Sequence, residues 1–205
     1  FVFVSTAKVL GEENVDGPWT EQAHAAPQDV YARSKWAAEQ ALAGLVPVSS
    51  LEPVTLRPPL VYGPGVRANF LSLMRAVDLG WPLPFASIEN HRSLIYVGNL
   101  ADAIARCIES PAAAGKTYLV SDGPAVSTPD LCRALGVALG RPARLFRFPV
   151  ALLELAPPLR KLTRSLEVDD SAIRRELGWT PPYTFEEGVR ATAQWYLKGR
   201  RDPRG

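Results

Sequence analysis

Two rhythms of hydrophobic and polar positions run along the chain. Short strand-like runs recur at Phe1–Val4, Val54–Arg57, Leu94–Val97 and Thr117–Val120. Phe1–Val4 is continuous and apolar, the pattern of a strand buried on both faces of a parallel sheet. Between these runs, apolar residues recur every three or four positions. From Asp29 to about Leu45 the residues Ala38, Ala41, Leu42 and Leu45 make such a stripe, with Asp29 as the cap and Gly44 and Pro47 as the stop. Asn69 to Leu79 reads as a helix closed by Gly80. Asn99 caps a helix over Leu100–Glu109, and Thr128 caps one that starts at Pro129 and runs to about Leu139. Asp170 opens a short helix ended by Gly178, and Thr184 with Glu187 forms a capping box for a last helix to about Leu197. The remainder is punctuation: a long loop over 11–29, an irregular exit over Leu60–Gly65, extended chain at Pro82 and Pro84, a proline-interrupted segment over Leu145–Thr163, and a frayed tail over 200–205. Strands alternate with helices, so the fold class is α/β.

Composition narrows the function classes. Of 205 residues, 47% are hydrophobic and 21% charged, which is a globular balance and not a disordered one. The net charge of +2, from 23 basic and 21 acidic residues, leaves no electrostatic footprint for nucleic acid or an anionic membrane. No apolar run approaches the ~20 residues of a membrane helix. Cys107 and Cys132 fall in separate helical segments, so no disulfide framework is expected and a reducing, cytoplasmic setting follows. His24 and His91 are too few and too isolated for a metal site. No Gly-x-Ser-x-Gly elbow serves a hydrolase. Trp19, Trp36, Trp81, Trp179 and Trp195 are expected in the core, with Trp195-Tyr196 sealing the second half of the fold. The apolar start at Phe1 implies a preceding half that covers it.

The candidate chemistry lies in the helix that Asp29 opens. Tyr31 and Lys35 are four apart, which puts both side chains on one helix face with Cβ atoms about 6 Å apart. A phenol titrates near pH 10, too high for a base at neutral pH. An ammonium beside it favours the phenolate. Such a pair can exchange a proton with a substrate hydroxyl while a cofactor takes the hydride. Thr6, at the end of the first strand, is placed to hydrogen-bond the same substrate oxygen. Six tyrosines and five lysines give this spacing by chance in roughly one such chain in seven. The pair therefore gains weight only from its context, a buried strand ending in Ser5-Thr6 about twenty-five residues before it.

That context carries a resemblance. Phe-Val-Phe-Val-Ser-Thr-Ala-Lys-Val-Leu-Gly11, Tyr31-Ala-Arg-Ser-Lys35, Leu56-Arg-Pro-Pro-Leu-Val-Tyr-Gly-Pro-Gly65, Arg92-Ser-Leu-Ile-Tyr-Val-Gly-Asn-Leu-Ala-Asp-Ala103 and Tyr118-Leu-Val-Ser-Asp-Gly123 resemble the extended short-chain dehydrogenase/reductases. The branch is the nucleotide-sugar epimerases and dehydratases, and the likeness spans nearly the whole chain in order. It implies the second half of a Rossmann-type parallel sheet plus a small mixed α/β substrate-binding lobe. Residues 1–66 would be the C-terminal part of the NAD(P)-binding domain and 67–205 the substrate lobe, with 93–122 returning to the sheet. The resemblance gives Tyr31 the role of catalytic acid or base and Lys35 that of ribose holder and partner of Tyr31. Thr6 takes the catalytic Ser/Thr position, and Pro58 and Pro59 line the nicotinamide. Asn69 binds the nucleotide-sugar and Arg92 its diphosphate, with a second arginine expected near Arg160 or Arg164.

The departures are as informative. The family's Gly-rich strand–turn–helix for the pyrophosphate, and the acidic residue that reads the adenosine ribose, are not within these 205 residues, so the chain does not distinguish NAD from NADP. The dehydratases carry an Asp-Glu pair after the catalytic threonine. Here stand Ala7 and Lys8, which removes the acid and base of water elimination. The resemblance then implies an NAD(P)-dependent 4-epimerase or 4-keto-sugar reductase acting at C4 of a UDP- or dTDP-sugar, and a homodimer through the Tyr31–Lys35 helix. The alternative is a cofactorless remnant that serves as a binding or dimerisation module.

Overall fold

The structure, a computed structural model, describes residues 1–14 and 16–201. Three parallel strands form the principal sheet: β1 (Val2–Val4), β2 (Val54–Arg57) and a later strand, Thr117–Leu119. Their order is β1, β2, then Thr117–Leu119, with Val4 opposite Leu56 and Leu56 opposite Tyr118. The central strand β2 is buried throughout. Strand β1, at one end of the strand order within these residues, is half-buried.

The prolines after β2 do not end regular structure. Leu60–Tyr62 is β3, paired in parallel with β5 (Leu94–Tyr96). Its three residues sit between Pro58-Pro59 and Gly63-Pro64, and its partner lies far along the chain, so local pattern reads it as an irregular exit. Gly63 is required where β3 ends: its φ is +148°, and a Cβ there would meet a Val97 methyl at 2.4 Å. A third pair joins β4 (Pro82–Leu83) to β7 (Arg144–Leu145), which leaves Thr117–Leu119 as β6. Of residues 93–122, β6 joins the principal sheet and β5 stays with β3.

The helices are α1 (Val30–Leu45), α2 (Ala68–Asp78), α3 (Val97–Glu109), α4 (Thr128–Leu139), α5 (Val150–Leu153), α6 (Pro157–Thr163), α7 (Ser171–Leu177) and α8 (Phe185–Arg201). Asp29 caps α1 as expected, accepting from the Ala32 N–H at 2.7 Å. The Thr184–Glu187 capping box opens α8, with reciprocal bonds of 2.8 and 3.2 Å. Two caps differ from the sequence expectation. Ser127, not Thr128, caps α4, because Thr128 is buried and its hydroxyl donates to the Leu162 carbonyl at 2.6 Å. Asn99 lies inside the first turn of α3, where its amide donates to Asp122 and to the Tyr183 carbonyl. The segment Leu145–Thr163 contains α5 and α6. Arg200 and Arg201 continue α8, and the rest of the expected tail lies outside the described residues.

Helix α1 departs most from expectation. Its stripe does not form the core face: Ala41 and Leu45 are exposed and Ala38 and Leu42 half-buried. Its fully buried residues are Ala32 and Glu39. Trp179 is buried, Trp19, Trp36 and Trp195 are half-buried, and Trp81 is 59% exposed, which removes it from the core. Trp195 and Tyr196 pack against the cluster of Tyr62, Phe70, Met74 and Leu135 in the second half of the chain. Cys107 and Cys132 are buried free thiols, pushed up by burial to about 11 and about 12. Among the described residues no helix is long and apolar enough to cross a membrane.

A buried carboxylate ties the sheet halves together. Asp122, just after β6, accepts from the Tyr62 hydroxyl at 2.7 Å, the Tyr96 N–H at 2.9 Å and the Asn99 amide at 2.7 Å. Burial raises its pKa in spite of these donors and raises that of Tyr62 as well. Strands β3 and β5, helix α3 and, through the Tyr62 hydroxyl near the Phe185 carbonyl, helix α8 therefore meet at one polar point.

At the start of α1, the Lys8 ammonium bonds Asp29 at 2.5 Å and Glu12 at 2.7 Å. The Lys8 bond and the Ala32 N–H hold Asp29 down to about 2 from 3.8. The folded pKa lies below the unfolded one, so the contribution is complete above the unfolded value and is lost as pH falls toward 2. In urea unfolding followed from pH 5 to pH 2, Asp29→Asn, which keeps a capping oxygen, is expected to flatten the acid loss of stability relative to the unaltered chain. Superimposable pH profiles would contradict this.

Candidate active site

The site forms where the C-terminal ends of β1 and β2 meet the start of α1, the usual place for ligands on a parallel sheet. Hydrogen bonding continues past both strands: Ser5 N–H donates to the Leu56 carbonyl at 2.7 Å and Ala7 N–H to the Pro58 carbonyl at 2.8 Å. Thr6 is thereby fixed beside Pro58-Pro59. It is 6% exposed, opens the 3-10 turn Ala7–Val9, and its hydroxyl accepts from the Lys8 N–H at 3.3 Å. Tyr31 stands in the first turn of α1 with half of its surface exposed. Lys35, one turn on, donates to the Val4 carbonyl at 2.9 Å. Its ammonium lies 5.9 Å from the centre of the Tyr31 ring and 5.0 Å from that of Phe3.

Thr6, Tyr31 and Pro59 open onto a cleft of about 400 Å³ that Asn69 and Arg92 also line, with Leu131 and Leu162 as apolar wall. Five of the seven residues singled out from the sequence thus share one cavity. The other two stand behind it. Pro58 is buried with its carbonyl engaged, and Lys35 points to the end of β1. Asn69 is exposed in the first turn of α2 and is not its cap.

Arg92 is not a loose surface charge. Its guanidinium donates to the carbonyls of Lys161 at 2.7 Å and Arg164 at 3.0 Å, and its backbone bridges Val126 and Leu166. Burial lowers its pKa, with Glu12 acting in the opposite direction. A second cleft of about 330 Å³ shares Lys8, Arg92 and Lys161 with the first and adds Arg160 and Arg164. Arg160 donates to the Glu154 carbonyl, and Arg164 pairs with Glu13 while its buried Nε, 4.0 Å from the Glu154 carboxylate, makes no hydrogen bond. Both arginines that the resemblance left open therefore face the same basic cleft.

Lys8 is the residue that a motif-centred reading undervalues. It stands between the two clefts. Burial pulls its pKa down, but the Asp29 and Glu12 carboxylates more than offset this and leave it raised. Its signal in the sequence was the departure from an acidic pair after Thr6. Glu39 and Arg57, buried against each other behind the site, gave no such signal. A further depression of about 700 Å³, around Asp122, Asp170 and Arg174, contains none of the singled-out residues. Among the described residues no group of three or more His, Cys, Asp or Glu could hold a metal.

The chain has known relatives. Residues 1–121 match the NAD dependent epimerase/dehydratase family. The chain is 45% identical over 207 residues to a UDP-glucose 4-epimerase of Vibrio cholerae, covering 97% of this chain and 63% of that protein. It is 28% identical over 202 residues to a dTDP-glucose 4,6-dehydratase of Xanthomonas campestris pv. campestris, covering 96% and 57%. The chain thus spans about three-fifths of the length of these relatives. Its fold matches the crystal structure of a Thermotoga maritima UDP-glucose 4-epimerase with UDP-glucose, at TM-score 0.77, 21% identity and coverage of 98% and 62%. It also matches RMD of Pseudomonas aeruginosa complexed with NADPH, at TM-score 0.78, 21% identity and coverage of 97% and 66%. With its α/β architecture and parallel sheets, the chain belongs to the NAD dependent epimerase/dehydratase family.

Proposed function

We propose that this chain supplies the proton-transfer residues and the sugar-nucleotide pocket of an NAD(P)-dependent enzyme acting at C4 of a UDP- or dTDP-sugar, as a 4-epimerase or a 4-keto-sugar reductase. Residues 1–66 would belong to the dinucleotide domain and 67–205 to the sugar lobe, with 93–122 returning to the sheet. The observation that carries the proposal is the single cleft in which Thr6 and Tyr31 meet Asn69 and Arg92.

The residues present fit the nicotinamide end of a dinucleotide. Pro59 and the half-exposed Tyr31 ring offer a flat apolar wall at the strand ends, and Lys35 is anchored below it by the Val4 carbonyl. When bound, the nicotinamide supplies the acceptance or delivery of hydride at C4. The protein's own part is the proton. Tyr31 Oη takes the proton of the C4 hydroxyl on oxidation and returns it on reduction. Thr6 hydrogen-bonds the same oxygen. The Lys35 ammonium is the fixed positive charge that stabilises negative charge on the phenol. Arg92, with Arg160 and Arg164 beside it, suits the substrate diphosphate, for which a guanidinium fork is the matching donor. An epimerase delivers the hydride back to the opposite face of the sugar and keeps its cofactor, whereas a reductase releases the oxidised form.

Elimination of water does not suit this site. It requires an acid and a base beside the reacting carbons, and the two positions after Thr6 carry a methyl group and an ammonium already held by Glu12 and Asp29. The outer face of α1 exposes Val30, Ala37, Ala41 and Leu45, which suits pairing with the same helix of a second copy. Sedimentation of the complete protein is expected to give the mass of two chains, and Ala41→Arg that of one. A monomer without the substitution would contradict the pairing.

In the complete protein with UDP- and dTDP-sugars, Tyr31→Phe is expected to cut turnover at least ~100-fold with nucleotide-sugar binding intact. Near-normal turnover would reject Tyr31 as the proton-transfer group. Stoichiometric release of oxidised cofactor in the same assay would identify the reductase, and its retention the epimerase.

A further inference from the structure

One buried ion pair stands outside the cleft and has no part in the proton chemistry. Glu39 of α1 accepts from Arg57 Nε at 3.2 Å and Nη2 at 2.6 Å, and from the Ser5 hydroxyl. Glu39 is 8% and Arg57 6% exposed, and the guanidinium lies 5.8 Å from the Trp36 ring. Each of the three adjoins a residue of the site. Ser5 precedes Thr6, Arg57 precedes Pro58, and Glu39 is one turn beyond Lys35 on the same helix face.

Stability alone does not account for such a pair. Removing two charges from water largely offsets their attraction, so well-packed apolar side chains would hold the helix as firmly. They would not hold it in one direction, because apolar burial is non-directional while a forked guanidinium–carboxylate bond has fixed geometry. Helix α1 needs that geometry. Apart from Glu39 its only fully buried residue is Ala32, and Trp36, half-buried, is the one large apolar side chain of the helix packed against a core cluster, which leaves its rotation and its position along its axis weakly fixed by apolar contacts.

We infer that Glu39, Arg57 and Ser5 form a positioning clamp that sets α1 against the ends of β1 and β2, and so fixes the placement of Tyr31 relative to Thr6. The clamp rests on the assignment of Tyr31 as the proton-transfer group. Glu39 and Arg57 are positioning residues; they do not touch substrate. A displacement of about 1 Å at a reacting group can cost on the order of 100-fold in rate.

The test pairs Glu39→Met with Arg57→Met in the complete protein, removing both charges at comparable volume. The expected result is a urea midpoint at or above that of the unaltered protein and a KM for the nucleotide-sugar within about twofold, with kcat lower by at least ~10-fold. Glu39→Ala alone is expected to lower both the midpoint and kcat. Full kcat in the folded double variant overturns the clamp. Should the double variant not fold, Glu39→Asp keeps the charge and withdraws the carboxylate by about one C–C bond, ~1.5 Å. The expected result is again a folded protein with kcat down at least ~10-fold and KM unchanged, and full kcat again overturns the clamp. Tyr31→Phe measured alongside separates the two levels. If it stays active, the site assignment and the clamp fall together. If it is inactive while the double variant is fully active, the clamp falls alone.

Discussion

Helix α1 lies on the sheet with little apolar packing beneath it, chiefly Ala32 and the half-buried Trp36, and polar contacts to the ends of two strands hold it there. Three of them follow one another along the helix. At its start Asp29 is bonded to Lys8 of the turn after β1, one turn in Lys35 is bonded to the last carbonyl of β1, and a turn later Glu39 is bonded to Ser5 and Arg57. All three lead to the carboxyl ends of β1 and β2, where Thr6 and the Pro58-Pro59 corner sit. A helix held in this way can leave Tyr31 half exposed over a cleft, because that ring is not needed for packing. The same economy of burial leaves its outer face apolar and open.

The second half of the chain supplies the far wall of the cleft and is built differently. Its helices α2, α4 and α8 interlock around Phe70, Met74 and Leu135, with Tyr62 reaching in from β3. Asp122 gathers Tyr62, Tyr96 and Asn99 onto one carboxylate, which fixes the β3–β5 pair against α3. Thr128 and Asn90 bind the Leu162 carbonyl, and Arg92 binds those of Lys161 and Arg164. The basic segment carrying Arg160 and Arg164 is therefore held at the cleft through its backbone carbonyls, by side-chain donors from Asn90 and Arg92 about seventy residues earlier and from Thr128 34 residues earlier.

What was legible in the sequence was local. The strand runs, the Asp29 cap, the Thr184–Glu187 box and the glycines after α2 and α7 depend on neighbours a few residues away. The Tyr31–Lys35 pair and Thr6 could be placed for the same reason, since helix spacing and a strand end determine their positions. Residues settled by distant partners were not legible. Strand β3 exists because β5 pairs with it, and Asn99 leaves its capping role because Asp122 and Tyr183 claim its amide. The periodicity of the stripe on α1 is correct, yet the inward face lies about a quarter turn round the helix from it, where Glu39 meets Arg57. No local pattern announces a buried carboxylate whose partner comes from another strand.

The central claim is geometric: the ends of β1 and β2, held against α1, put Thr6, Tyr31 and Arg92 around one sugar-nucleotide. A crystal structure of the complete protein with a dinucleotide and a UDP-sugar tests it most directly. The account predicts the sugar O4 within about 2.6–3.2 Å of both Thr6 Oγ1 and Tyr31 Oη, with the diphosphate against Arg92 and Arg164. A sugar seated away from Tyr31, or a diphosphate that leaves Arg92 and Arg164 untouched, would contradict it.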